Sequence, residues 1–360
     1  MIIDLWRVDV FRVKYVSVWA LFSNPQHYHA YDGHSGVFRE RISDEIALCQ
    51  KRLVTDFESR PDVKINCCSI DDLLSLKPHD FIKPDVVLFL LESRNFEEGI
   101  YDPPLHEFEI KAFLKTQKIP YTGCDGLSLF SDYDKSLQYS LALSAGINVP
   151  IQSFISDYTD IKNMDWKHYP AFIKPCLHGD SIGIRKSSIV HDRKQMVAEL
   201  QRQKDLFPHE PIVIQEYLEG NEYTIGVMGN WNSDSCHTLP IIQIGYDRSD
   251  DAVSVLTHDA KNAPNSSEYM QDYYHIAELQ PDIEDQIQRG TLAIYRRLKC
   301  RGYARADWRL DKNGTPKFLE INALPDIMDD TSSIVKMYRY KTGRTHSDFI
   351  FDIIKHGIDE

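Results

Sequence analysis

The sequence predicts an α/β fold in three successive units, on three observations. Strand-like and helix-like segments alternate through the first 120 residues, as in a parallel α/β layer. A turn-rich break, "IPYTGCDG" at 119–126, ends that alternation. From about residue 150 the texture changes to short strands with hairpin-like breaks, one long helix and a charged hairpin. At 360 residues the chain exceeds a typical single core, and domains are expected at 1–120, 121–216 and 217–360.

Bulk properties exclude several classes. The chain is 42% hydrophobic and 26% charged, an ordinary globular balance. A formal net charge of −13 argues against a nucleic-acid surface, which needs cations to neutralise phosphates, but leaves room for a nucleotide cleft lined by a few lysines. Seven cysteines form no CxxC pair and no zinc spacing, so reduced thiols in the cytoplasm are expected. The start, "MIIDLWRVDV", carries Asp4 and Arg7 within its apolar stretch and does not read as a signal peptide. The longest apolar runs, such as "VVLFLL" at 86–91, are strand-sized, and no membrane association is expected.

The elements follow in order. "VKYVSVWALF" at 13–22 is β-branched and aromatic and predicts the first strand. A capped amphipathic helix is expected from Ser43, with Asp44 and Glu45 in its first turn. Strands are expected at 63–70 and 85–91, and a helix over 105–118. A further helix, "YDKSLQYSLALSAG", closes at Gly146. "AFIKP", "IGIRKSS" and "IVIQEYLEGNEYTIGVMG" read as strands, 283–302 as a long helix, and 303–322 as a hairpin turning at Asn313-Gly314.

That hairpin concentrates the chemistry. Its first strand offers Arg305, Asp307 and Arg309, alternating onto one face, and its second offers Glu320 and Asn322, two apart and so on one face. Asp307 can sit opposite the Glu320–Asn322 edge across an antiparallel pair. Two carboxylates and an amide oxygen suit magnesium, a hard cation commonly shared with phosphate oxygens. The competing reading is a surface hairpin whose carboxylates pair with Arg305 and Arg309. Lys174 precedes the loop Gly179–Asp180–Ser181–Ile182–Gly183, where backbone N–H groups could cradle a phosphate; a plain hairpin with a lysine on its rim fits equally well. Lys135, taken alone, is a solvated helix lysine. Gln215–Glu216–Tyr217–Leu218 follows an apolar strand and could offer backbone groups to an adenine edge, with Glu222 accepting ribose hydroxyls.

Taken together, these segments resemble the ATP-grasp superfamily and, within it, the D-alanine–D-alanine ligase family. The likeness covers about 119–325 and is carried by "IPYTGCDGLSLFSDYDKSLQYSLALSAGINVP", "YPAFIKPCLHGDSIGIRKS", "IVIQEYLEGNEYTIGVMG" and, most specifically, "GYARADWRLDKNGTPKFLEINALP". The resemblance implies a three-domain architecture in which two domains clamp ATP behind an N-terminal α/β domain. It implies that Lys135 and Lys174 contact ATP phosphates, that Glu216 and Leu218 meet adenine through the backbone beside Tyr217, and that Glu222 holds the ribose. Gln215 stands where the family usually has Glu, facing the adenine amino group. Lys261, in "LTHDAKN", falls at a phosphate-binding lysine of a mobile loop, and the polar stretch 245–275 reads as a lid. Asp307, Glu320 and Asn322 would hold two magnesium ions, with manganese as a substitute. Arg305 would stabilise the acylphosphate and tetrahedral intermediate, and Ser181 would help position substrate. The implied reaction joins a carboxylate to an amine through an acylphosphate, turning ATP into ADP and phosphate; the family's habit implies a homodimer acting on small molecules.

The sequence departs from the family in the acceptor region. Its signature continues past the asparagine as Asn-x-x-Pro-Gly-Met, whereas this chain reads "NALPDIMDD", putting Asp326 at the glycine. Asp180 replaces a serine beside Ser181. The N-terminal segment that recognises the first amino acid is not evident, and Glu40 or Glu45 are its stand-ins. Substrate identity is therefore open. An amide ligase with an altered acceptor, a divergent D-alanine–D-alanine ligase, a kinase-like enzyme that stops at phosphate transfer and a nucleotide-binding protein without turnover are separated by whether ADP release needs an added amino acid.

Overall fold

Apolar residues along β1 (Val16–Phe22) alternate between two layers, which fixes the N-terminal architecture. The computed structural model describes residues 15–22, 35–69, 83–90, 96–97, 100–101, 105–132, 134–156, 161, 164–179, 181–245 and 274–358. β1 lies between β2 (Val63–Ser69) and β3 (Val86–Leu90), with both pairings parallel. Leu21, Val87 and Phe89 face α2 (Leu105–Thr116) through Ile110 and Leu114. Val18, Ala20, Phe22 and Leu88 face the other way, onto α1 (Ser35–Glu58) and the last helix, α8 (His346–Ile358). One face of the first sheet is thus covered by α1 and α8 and the other by α2.

α1 corrects one sequence expectation, because it begins at Ser35 and Ser43 lies inside it. The segment "VFRERI" at 37–42 contains neither glycine nor proline, so the helix can start eight residues earlier than the capping pattern suggested, with Gly36 tolerated in its first turn. Two very short strands, β4 (Phe96–Glu97) and β5 (Ile100–Tyr101), pair with each other.

After α3 (Gly126–Asp132) and α4 (Lys135–Ser144), the central sheet runs in the order β6 (Gln152–Ile155), β9 (Ile212–Glu216), β7 (Ala171–Pro175), β8 (Ile189–Val190). It packs on α5 (Arg193–Leu206) through Ile173, Ile212, Ile214, Met196 and Leu200. The expected strand "IGIRKSS" is instead a turn followed by a 3₁₀ turn over Lys186–Ser188. Ser181 and Gly183 both have left-handed backbones (φ +57° and +74°), which cannot continue a strand.

The C-terminal sheet runs β13 (Tyr274–Ile276), β12 (Ile242–Ile244), β10 (Glu222–Met228), β14 (Tyr303–Leu310), β15 (Pro316–Asn322), with β11 (His237–Thr238) also on β10. One face packs on α6 (Pro281–Arg297) through Ile225, Ala306, Trp308, Ile287 and Ile294. Near its other face lies α7 (Ser333–Thr342), whose Met337 sulfur accepts the Gly226 N–H at 3.0 Å. The hairpin turns at Asn313-Gly314 as expected, with Asp311 Oδ1 accepting the N–H groups of Asn313 and Thr315 and Gly314 at φ +79°. Among the described residues no helix is long and apolar enough to cross a membrane.

Candidate active site

The site face of the C-terminal sheet is built by register. Across β10, β14 and β15 the directly opposed pairs are Glu222 with Arg309, Asp307 with Glu320, and Arg305 with Asn322. Residues between them, such as Ala306, Trp308 and Ile321, point into the α6 core. Strict alternation along β15 would put Phe318 and Glu320 on the same face. A bulge breaks the β15 register between the partners of Asp307 and Trp308, where Leu319 is the extra residue. Phe318 therefore stays in the core opposite Trp308 while Glu320 turns to meet Asp307.

The central sheet and α4 supply the cations. Asp134 caps α4 by accepting the N–H groups of Ser136 (2.8 Å) and Leu137 (3.2 Å), which fixes the start of the helix at Lys135. Lys135 Nζ donates to the His178 carbonyl and lies 3.4 Å from Glu320 Oε2. Lys174, on β7, is only 6% exposed, and its Nζ lies 5.8 Å from the Tyr139 ring centroid. Burial pulls its ammonium below the usual lysine range, against the opposing pull of Glu320, Glu222 and Asp307. Burial also works against the Arg305 charge, but Asp307, whose Oδ2 accepts from the guanidinium at 3.2 Å, holds it firmly protonated.

The carboxylates fit a hard cation. Asp307 Oδ1 is buried and has no hydrogen-bond partner among the described residues. Glu320 stands opposite it, and Asn322 Oδ1 accepts the Leu324 N–H at 2.9 Å, leaving a second lone pair. Among the described residues no three His, Cys, Asp or Glu side chains cluster, so a metal here would complete its shell with ligand oxygens, as magnesium does with phosphates.

The residues expected at the adenine edge lie where β9 leaves the central sheet. The Glu216 and Tyr217 N–H groups are taken by the Ile151 and Pro170 carbonyls, both at 2.8 Å. The buried Leu218 N–H has no backbone partner among the described residues, so it remains able to donate. Gln215 is buried and its Oε1 accepts the Tyr139 hydroxyl at 3.3 Å; the Glu216 carboxylate accepts the Ile151 N–H at 2.9 Å. Glu222 is held by Arg309, whose guanidinium also donates to the Tyr217 hydroxyl (2.8 Å) and the Gly220 carbonyl (3.1 Å). The sequence had Arg309 only as a pairing partner within the hairpin; its partners are instead on the segment leading into β10. Lys261, Asp180 and most of the expected lid lie outside the described residues, as does the side chain of Glu40; Glu45 is exposed on α1.

Four residues that the sequence reading passed over also build the site. Glu199, Arg202 and Gln203 project from α5, and both Arg202 (2.7 Å) and Gln203 (2.8 Å) donate to the Gly183 carbonyl. Glu199 accepts from Ser188 (3.0 Å) and Arg202 (2.8 Å). Gln138, one turn beyond Lys135, bonds the backbone of β15. Their only sequence signal is a polar residue at helical spacing on an otherwise inward face.

An antiparallel sheet that carries Lys174, a helix that brings Lys135 to 3.4 Å from Glu320, and a second antiparallel sheet that carries the carboxylate–amide edge are the arrangement of the ATP-grasp fold, and the chain is an ATP-grasp protein. The model of the family described as D-ala D-ala ligase C-terminus matches residues 143–355, and this chain belongs to that family of carboxylate–amine ligases. It is 27% identical over 251 residues to a D-alanine–D-alanine ligase of Aquifex aeolicus, covering 69% of this chain and 75% of that protein. A D-alanine–D-alanine ligase of Dechloromonas aromatica is 29% identical over 258 residues, 70% of this chain and 75% of that one. The structure of a D-alanine–D-alanine ligase from Bacillus anthracis complexed with ATP superposes with a TM-score of 0.65 at 19% identity, covering 96% of this chain and 98% of that one. VanG D-Ala:D-Ser ligase from Enterococcus faecalis gives 0.66 at 19% identity, covering 96% and 100%.

Proposed function

We propose that this protein joins a carboxylate to an amine at the expense of ATP, by way of an acylphosphate. The observation that carries the reading is the meeting of Lys135 and Lys174, from the central unit, with Asp307, Glu320 and Asn322, from the C-terminal sheet. A substrate carboxylate oxygen attacks the γ-phosphorus and ADP leaves. The amine nitrogen then attacks the acyl carbon, phosphate leaves, and the nitrogen gives up a proton as the amide forms. Lys135 and Lys174 neutralise the transferring phosphoryl, and Arg305 faces the developing oxyanion. Asp307, Glu320 and Asn322 would hold magnesium, which when bound neutralises phosphate oxygens. Leu218 N–H meets the adenine edge, Glu222, oriented by Arg309, takes the ribose, and the left-handed Ser181 turn presents backbone N–H groups to phosphate.

The acceptor is where this chain differs. Asp326 is exposed, with Oδ1 accepting the Met328 N–H at 2.9 Å and Oδ2 accepting the Ser332 hydroxyl at 2.8 Å. Its own loop thus fixes the carboxylate in a turn, as Asp commonly does, and leaves each oxygen a further lone pair. An acceptor amine that carries a second cation, or a larger amino acid, fits an acid at this point better than D-alanine. The enzyme is read as cytoplasmic, in keeping with seven free thiols, and as a homodimer, which light scattering after gel filtration tests.

The deciding experiment is an ADP-release screen over D- and L-amino acids, singly and in pairs, with magnesium. Release that requires two substrates supports the ligase; release with no amine present would mark a kinase-like enzyme, and none under any pairing a nucleotide-binding protein. If D-alanine alone gives the best turnover, the acid at 326 does not select the acceptor.

A further inference from the structure

We infer that Gln138 is a positioning residue that holds the carboxylate–amide edge of β15 in register with the lysine of its own helix. Among the described residues β15 ends its sheet, with no strand on the far side of its backbone. Gln138 replaces that strand at one residue. Its Oε1 accepts the Ile321 N–H at 2.8 Å and its Nε2 donates to the Ile321 carbonyl at 2.8 Å. The same Nε2 donates to the Ser131 carbonyl at 2.8 Å, tying the side chain to the end of α3. Gln138 is 1% exposed, so these bonds are made without competition from water.

Ile321 is the residue between Glu320 and Asn322. Its side chain is anchored in the α6 core, and its two backbone polar groups are clasped by Gln138. A rotation of β15 about its axis would swing Glu320 and Asn322 together, and the amide clasp is what opposes it. Two further bonds pin the same edge: Phe318 N–H to the Asn148 carbonyl (2.8 Å) and Ala323 N–H to Asp132 Oδ1 (3.0 Å). Lys135 and Gln138 are three apart and share a face of α4. One helix therefore touches the β15 edge twice, by Lys135 at the Glu320 side chain and by Gln138 at the adjoining backbone.

The inference rests on reading Asp307, Glu320 and Asn322 as the metal edge, and the test separates the two. Manganese binding in the presence of ADP is followed by the loss of the free-ion paramagnetic resonance signal, alongside thermal melting, in the wild type and in Gln138→Met, Gln138→Glu, Glu320→Ala and Ile353→Val. Ile353 lies in the core beside the first sheet, so its variant shows what lost stability alone does to metal binding. Expected is a rise of about tenfold or more in the manganese dissociation constant for Gln138→Met, the scale of losing a group that orients a metal ligand, with no change for Ile353→Val. Gln138→Glu, the same size but able to donate to at most one of the two carbonyls and only when protonated, gives a rise in the same direction and carries the test if the methionine variant fails to fold. Affinity in the Gln138 variants within twofold of Ile353→Val would overturn the inference. Undiminished affinity in Glu320→Ala would overturn the metal reading beneath it.

Discussion

Lys135 Nζ and Glu320 Oε2 stand 3.4 Å apart, joining helix α4 to the last strand of the C-terminal sheet. In the proposed function Lys135 meets phosphate and Glu320 holds a cation. Glu320→Ala is expected to abolish ADP release with magnesium and substrates present, whereas Lys135→Met should lower kcat about a hundredfold, the scale of losing one preorganised electrostatic donor. Steady-state coupled assays of ADP formation check both, and near-normal turnover of Glu320→Ala would refute the metal assignment.

Lys174 carries a prediction about pH. Its folded-state pKa is lowered by burial, so the folded state binds fewer protons than the unfolded state between that depressed value and the ordinary lysine value. Wild-type stability should therefore rise, relative to Lys174→Met, as pH rises through that window, and the burial penalty should be fully present below it. Urea unfolding of both proteins in EDTA, at a series of pH values from 7 to about 10, measures the difference. A gap that does not change with pH would show that Lys174 stays charged throughout.

Gly183 sits at φ +74°, and a Cβ there would lie 2.7 Å from Phe207 Cε2 and 3.3 Å from Gln203 Oε1. Gly183→Ala should lose about 1–2 kcal/mol from the left-handed backbone, with a further loss from the clash. Because the Gly183 carbonyl is held by Arg202 and Gln203, the displaced loop should also raise KM for ATP. The double variant Gly183→Ala/Phe207→Leu is expected to recover the clash but not the backbone strain. Thermal melting and ATP titrations separate the two parts.

Arg309 ties three groups of the segment entering β10: Glu222, Tyr217 and the Gly220 carbonyl. Arg309→Met should destabilise by about 2 kcal/mol or more, since it strands hydrogen-bonding groups on a buried arginine's partners. Arg309→Lys should recover little, because an ammonium cannot satisfy three partners spread around a planar fork. Both variants should raise KM for ATP more than they lower kcat, as expected if Glu222 serves ribose binding. Equal KM values in wild type and variants would remove Glu222 from the nucleotide site.

Much of this was legible in the chain. Arg305, Asp307, Glu320 and Asn322 could be placed on one hairpin face from spacing alone, because side chains on a strand alternate and an Asn-Gly turn sets the pairing. The bulge at Leu319 was not legible: "KFLEIN" alternates well enough without it, and only the need to bury Phe318 opposite Trp308 while turning Glu320 outward requires an extra residue. The start of α1 and the turn at 181–188 were misplaced for a related reason, since local propensity leaves both open and left-handed backbone at Ser181 leaves no trace in its identity.

The sequence by itself determined most of the order of the elements, the lysines and carboxylates proposed for the site, and the family to which the chain belongs, because these depend on residue types at short spacings. The tertiary structure alone decided which polar groups hold them. Gln138 on β15, Arg309 on Glu222, and Arg202 with Gln203 on Gly183 join residues 19 to 183 positions apart. Such partnerships exist only once packing has buried a backbone edge or a charge and left it needing a partner.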